Sequence, residues 1–143
     1  MLLGKDDIFK AVRENLATED VGLPGGGTLR VRELTGKERD AYEASFMKER
    51  PVLDAAGKPI RGRTQMIRDL SNMRAKLVAR TVIDEDGNRV FSDGDAANLG
   101  EGSGFHLDLI YEVAARLSRL NEDDVENAAG NSGAAPSGDS PSV

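Results

Sequence analysis

Hydrophobic positions along the chain change period several times, and each change marks an element. Ile8, Phe9, Val12 and Leu16 recur at helical spacing behind Asp6 and Asp7. Two acids suit the positive end of a helix dipole, so a helix is predicted from Lys5 to about Leu16. In VGLPGGGTLRVREL the proline and three glycines break any helix, and Leu29, Val31 and Glu33 alternate with Thr28, Arg30 and Arg32. That is period two, a short strand paired through the glycine loop with Val21–Leu23 as a hairpin.

Thr35 and Glu38 stand at capping-box spacing, with the threonine oxygen accepting a backbone N–H and the glutamate reaching back. A helix over 36–49 follows, with Ala41, Tyr42, Ser45 and Phe46 as its buried stripe and Pro51 as its stop. PVLDAAGKPIRGR shows no sustained period and reads as a flexible loop over about 51–63, at the upper length of ordinary loops. From Thr64 to Thr81 the pattern is helical again, with Met66, Ile67, Leu70, Met73, Leu77 and Val78 on one face. Ser92 caps a short helix over 93–99 closed by Gly100. Ser103 caps the longest, over about 104–120, striped by Leu109, Ile110, Val113, Leu117 and Leu120. Asn121 and the acids behind it read as a last helical turn or two. The GNSGAAPSGDSPSV that remains is too poor in apolar side chains to offset its ordering entropy and reads as a disordered tail over 130–143. These elements predict a mainly α fold: one small helical domain over 1–129 with one or two short β-hairpins.

Composition narrows the chemistry. With 143 residues there is room for one small domain, and without Trp and with aromatics at 4% the core must be aliphatic. The absence of cysteine removes disulfides, thiolate chemistry and the usual structural zinc sites. No apolar run nears the roughly 20 residues that span a bilayer, and the start MLLGKDDIFK lacks the basic flank and apolar stretch of a signal peptide. A cytosolic protein, or one released by lysis, is expected.

Charge is unevenly placed. The net is −6, yet the five acids Glu122, Asp123, Asp124, Glu126 and Asp139 face no base after residue 121, which leaves 1–121 at −1. Within 58–80 seven bases (Lys58, Arg61, Arg63, Arg68, Arg74, Lys76, Arg80) stand against Asp69 alone. A solvated helix face, a protein-partner face and a nucleic-acid face all fit such a run. Nucleic acid ranks last, because no aromatic lies between Phe46 and Phe91 to stack bases and no second helix follows a short turn.

The acidic stretch TVIDEDGNRVFSDGD has the look of a calcium loop. With Gly87 at its sixth position, the first ligand position falls on Val82, which carries no oxygen, and the twelfth on Asp93. A hairpin accounts for every residue instead: Val82 and Ile83, a turn over Glu85–Asn88, then Val90 and Phe91. LPGGGT lacks the Gly-Lys-Ser/Thr of a phosphate loop; Gly36-Lys37 is followed by Glu38 and has Val31 where the first glycine belongs. His106, the single histidine, has no cysteine or second histidine to share a metal and no nominated serine to activate. Neither an enzyme nor a cofactor is read here. A binding or assembly protein is.

Four segments carry a resemblance. MLLGKDDIFKAV, TLRVRELTGKERDAYEAS, RAKLVARTVIDEDGNRVFSD and LSRLNEDDVENAAGNS, in that order over most of 1–132, together resemble the tail assembly chaperones of long-tailed bacteriophages, especially those infecting actinobacteria. The insert at 51–63 and the small-residue tail are the least family-like parts. The resemblance implies a protein made in the infected cell that binds the aggregation-prone tape measure protein, keeps it soluble, and is displaced as tail tube protein polymerises. It would work in the host cytoplasm and be absent from the mature virion. Family members are often made in two forms, the longer by ribosomal frameshifting and carrying contacts to tail tube protein. This chain looks like the shorter, with Gly130-Asn131 as the guessed slip site. Self-association is a further expectation.

For contact with client or neighbouring copies, the face over 64–81 nominates Met66, Leu70, Met73, Arg74, Lys76 and Arg80, since methionine suits adaptable contacts. Met66 and Met73 read equally well as core. Two other classes stay open: a nucleic-acid-binding regulator using the basic 58–80 region, and a structural tail or head–tail joining protein that stays in the virion.

Overall fold

A computed structural model describes residues 1–120. The expected Asn121 helical turn, the 130–143 tail and the slip site lie outside the described residues. In chain order the elements are α1 (Lys5–Glu14), β1 (Thr18–Gly22), β2 (Thr28–Arg32), α2 (Gly36–Ala44), β3 (Met47–Leu53), β4 (Pro59–Arg68), α3 (Met73–Thr81), β5 (Val82–Ile83), a 3₁₀ turn (Asp93–Asp95), α4 (Ala96–Gly100) and α5 (Gly104–Leu117). With 42% helix and 25% strand in two small sheets, the fold is α+β, not mainly α.

The first sheet is antiparallel in the order β1–β2–β5, with Val21 opposite Leu29 and Val31 opposite Val82. Its inner face meets α5, which packs in turn on α3. Val31, Tyr42, Phe46, Leu77 and Val78 are wholly or almost wholly buried in the shared core. The glycine hairpin forms as read, with Leu23 N–H donating to the Gly27 carbonyl at 3.0 Å. The Thr35 cap also forms: Glu38 N–H donates to its Oγ1 at 3.2 Å, and the Glu38 carboxylate accepts the Thr35 N–H at 2.9 Å.

Three expectations need correction, and all three concern one stretch. First, α2 stops at Ala44 rather than 49. Tyr42 and Phe46 do form the buried pair, ring centroids 4.8 Å apart and edge-on, but Phe46 sits past the helix end. Pro51 disfavours helix for the residue before it, and cross-strand pairing claims the rest. Second, 51–63 is no flexible loop: β3 and β4 form a hairpin pairing Met47 with Arg68, Lys48 with Ile67, Glu49 with Met66 and Pro51 with Thr64. At its tip Asp54 Oδ1 accepts the Ala56 and Lys58 N–H groups at 2.9 and 3.0 Å, and Gly57 takes φ +81°.

Third, the helix predicted over 64–81 begins only at Met73. Residues 64–68 belong to β4. The Asp69–Asn72 link then turns on itself, with Asp69 Oδ1 accepting the Ser71 N–H at 2.9 Å and Asn72 in the left-handed region at φ 59°. A left-handed residue ends helix propagation towards the N-terminus. Asn72 is held there as its Nδ2 donates to the Ala96 carbonyl at 2.8 Å.

The DEDGN reversal uses the same device as the hairpin tip. Asp84 Oδ1 accepts the Asp86 and Asn88 N–H groups at 2.9 and 3.0 Å, and Gly87 has φ +85°. Its strand partner is mostly β2; towards 89–91 only an Ile83–Arg89 bridge and a Val90 N–H to Val82 carbonyl bond form.

Candidate partner-binding surfaces

The exposed apolar side chains of this protein are concentrated. Of the eleven large hydrophobics left exposed among the described residues, six (Met1, Leu2, Leu3, Ile8, Phe9, Val12) belong to the N-terminus and α1, and three (Met47, Leu53, Met66) to the β3–β4 arm. Neither segment buries a residue of its own. The helical stripe that predicted α1 is thus real, but it faces outward: Ile8 is 49%, Phe9 46% and Val12 68% exposed. Lys5 and Arg13 lean over the Phe9 ring, at 6.0 and 4.9 Å from its centroid.

The arm is a ribbon whose strands pack chiefly on each other. Partners across an antiparallel pair share a face. Met47, Glu49 and Pro51 therefore lie with Arg68, Met66 and Thr64, and Lys48 and Arg50 lie with Ile67 and Gln65 on the other side. Leu53 is exposed beside the register shift at the outer end. The root is firmly held. Phe46 is fully buried, its carbonyl accepts the Asp69 N–H at 2.6 Å, and Lys76 Nζ donates to the Ser45 carbonyl at 2.9 Å. Asp69 is held below the usual carboxylate range by hydrogen bonds from Ser71, helped by Lys48 and Lys76.

The six residues nominated from sequence do not share a face. Met66 lies exposed on β4, Leu70 half-buried in the link, and Met73 half-buried against the core at the start of α3. Arg74 is exposed, paired with Asp108, and its guanidinium lies over the Tyr111 ring. Lys76 lies over Phe46, 5.6 Å from the ring centroid, and burial lowers its pKa. Arg80 is buried: its Nη1 donates to the Lys76 carbonyl at 2.9 Å and its Nη2 lies 3.6 Å from the Asp93 carboxylate. Exposed members of the set are therefore Met66 and Arg74. The segments that sequence reasoning passed over are α1's outward stripe and the arm. A signal for the arm existed: V-L-D-A-A-G-K-P-I repeats the plan of V-I-D-E-D-G-N-R-V.

Two hollows remain. One of about 500 Å³ runs beside β2 and β5 and is lined by Leu29, Ile83, Val90 and Phe91, with Arg30 and Asp20 paired at 2.7 Å on its rim. The other, about 310 Å³, lies between the start of α2 and Arg80, Arg89 and Asp93. Its charges answer one another: Arg89 Nη2 donates to Asp93 at 2.7 Å and to the Ala79 carbonyl at 2.9 Å. Arg89 chiefly, then Arg80, holds Asp93 below the usual carboxylate range. His106 Nδ1 lies 3.0 Å from Ser103 Oγ, but that hydroxyl already accepts the His106 N–H as the cap of α5. Among the described residues no group of three or more His, Asp or Glu side chains is placed to hold a metal ion, and no helix is long and apolar enough to cross a membrane.

Comparison of the chain with protein-family models, curated proteins and solved structures finds no match in any of the three.

Proposed function

We propose that this protein is a tail assembly chaperone of a long-tailed bacteriophage, binding the tape measure protein and holding it soluble until tail tube protein displaces it. The observation that carries the reading is the concentration of exposed apolar side chains on the N-terminus with α1 and on the arm, nine of the eleven among the described residues, on segments that bury nothing of their own. Apolar surface displayed in this way marks a site of interaction rather than a finished exterior. A chaperone needs such surface to lend, and it needs solubility while lending it. The net charge of −6 supplies the second through like-charge repulsion between copies.

The segment resemblance over most of 1–132 supports the same role. The test is co-expression with the tape measure protein of the same phage. A soluble complex recovered only when both are present is expected. A client equally insoluble with and without this protein ends the reading. Detection of the chain in purified virions would assign it instead to the tail structure.

A further inference from the structure

We propose that the β3–β4 arm is the recognition element, and that its partner is an acidic polypeptide segment presenting an apolar face. The inference deepens the chaperone reading, and it rests on that reading for the partner's identity but not for its chemistry. Charge comes first. Lys48, Arg50, Lys58, Arg61, Arg63 and Arg68 stand against Glu49 and Asp54, giving the arm +4; the whole chain carries −6, so everything outside the arm sums to −10. An acidic partner is repelled by the rest of the molecule and drawn to this one ribbon, which is how a polarised surface steers encounter. Among the described residues, Lys48 alone of the six has an ion pair, with Asp69 at 4.0 Å, so the others are available to a partner.

Shape and apolar character select the rest. Met47 and Met66 share the face that also carries Thr64 and Arg68, and both are exposed, Met66 at 58%. Methionine beside arginine suits a partner offering aliphatic side chains flanked by carboxylates. The strand edges are poor docking sites. Pro51 and Pro59 lack N–H groups, the register shifts between Pro51 and Leu53, and Gly62 takes φ +76°. These features blunt edge-to-edge pairing and leave the ribbon's face as the surface that binds. A basic two-stranded ribbon also has dimensions that fit a DNA major groove. What favours a polypeptide over a polyphosphate is the exposed apolar pair Met47 and Met66 on the face of Arg68, which a phosphate backbone would leave unused.

The test uses the full chain and a fluorescent peptide of about 18 residues, alternating Leu and Glu at helical spacing, long enough at ~1.5 Å per residue to cover the ~20 Å ribbon. Its Leu/Lys counterpart and a random DNA duplex are the controls. Anisotropy should show saturable, salt-sensitive binding of the Leu/Glu peptide. The Arg61→Glu/Arg63→Glu variant, with unchanged circular dichroism, should bind at least about tenfold more weakly. Met66→Ser should weaken binding without altering its salt dependence. Amide shifts should fall on 47–68. Equal binding by variant and wild type, equal binding of the Leu/Lys peptide, no binding, or tighter binding of the duplex would each overturn the proposal. The two readings also separate. If the tape measure protein is held soluble equally well by wild type and by Arg61→Glu/Arg63→Glu, the arm assignment falls and the chaperone reading stands. If the peptide binds through the arm while the client stays insoluble, the reverse holds.

Discussion

Ser118 joins the two ends of the described fold. It follows α5, and its Oγ accepts the N–H of Leu34 at 3.0 Å, a bond between residues 84 positions apart. Both partners are buried, at 7% and 6% exposure. Ser118→Ala deletes the acceptor while leaving the donor in place, so the buried N–H loses its partner and water cannot easily replace it. An orphaned buried donor costs ~1–3 kcal/mol, more than the ~1 kcal/mol net value of a typical hydrogen bond. We expect a loss of about 2 kcal/mol. With a urea dependence of about 2 kcal/mol per molar for a chain of this size, the unfolding midpoint falls by about 1 M. Hydrogen exchange reads the same bond locally, since the Leu34 amide should lose protection before its neighbours in β2. Arg39→Met is the control. Its Nη1 donates to the Ser118 carbonyl at 3.2 Å from a half-exposed position, and its loss should cost less than ~1 kcal/mol. A Ser118→Ala midpoint within about 0.2 M of wild type would refute the reasoning, because it would mean the junction tolerates an unmatched donor.

Phe46→Ala should cost ~3–5 kcal/mol, read by calorimetry, because a fully buried ring at the root of the arm leaves a cavity against Tyr42. Gly87→Ala meets no atom within 4 Å but forces φ +85° on an alanine, and should lower stability by ~1–2 kcal/mol in urea melts. Gly57→Ala imposes the same strain at φ +81° on the tip of the arm, and should leave global stability nearly unchanged while altering amide shifts within 47–68. Acid should lower stability modestly below the ordinary aspartate pKa. Asp93 is held low by Arg89 and Asp20 by Arg30, so the stability they contribute is present above 3.8 and is lost as pH falls through their folded values. Asp93→Asn should flatten that acid limb in a pH series of melts; an unchanged limb would remove Asp93 from the account.

What was legible in the sequence was whatever local chemistry alone decides. The Thr35 and Ser103 caps and the glycine hairpin each depend on a few adjacent residues, and each forms; the turn read over Glu85–Asn88 closes from Asp84, but Val90 and Phe91 do not extend it as a strand. The arm was illegible for a different reason. Met66, Ile67 and Leu70 fit a helical face as well as Met73, Leu77 and Val78 do, and nothing local shows that Asn72 adopts φ 59° between them. That conformation is fixed by a tertiary contact, the Asn72 bond to Ala96, so periodicity ran straight through a boundary. The other half of the arm was legible after all. Asp54 and Gly57 stand at the spacing of Asp84 and Gly87, and the turn chemistry that gave a hairpin to one stretch applied equally to its twin.

The same boundary divides the basic run and so changes where a partner should be sought. Read from sequence, the seven bases from Lys58 to Arg80 form a single basic run. Folded, Lys58, Arg61, Arg63 and Arg68 stand on the arm, while Arg74, Lys76 and Arg80 stand on α3. The three on the helix are already engaged: Arg74 with Asp108, Lys76 with the Ser45 carbonyl, and Arg80 with the Lys76 carbonyl and Asp93. Arg80 is buried and Lys76 half-buried with its ammonium on a backbone carbonyl, so neither is free for an encounter surface. The four on the arm make no ion pair among the described residues, and Arg68 shares its face with exposed Met47 and Met66. A sequence cluster that looked like one binding face is therefore two populations, of which only the arm's is free to attract. Substitutions at Arg80 should act on stability and those at Arg61 and Arg63 on binding, and measuring both in the same samples separates the two roles.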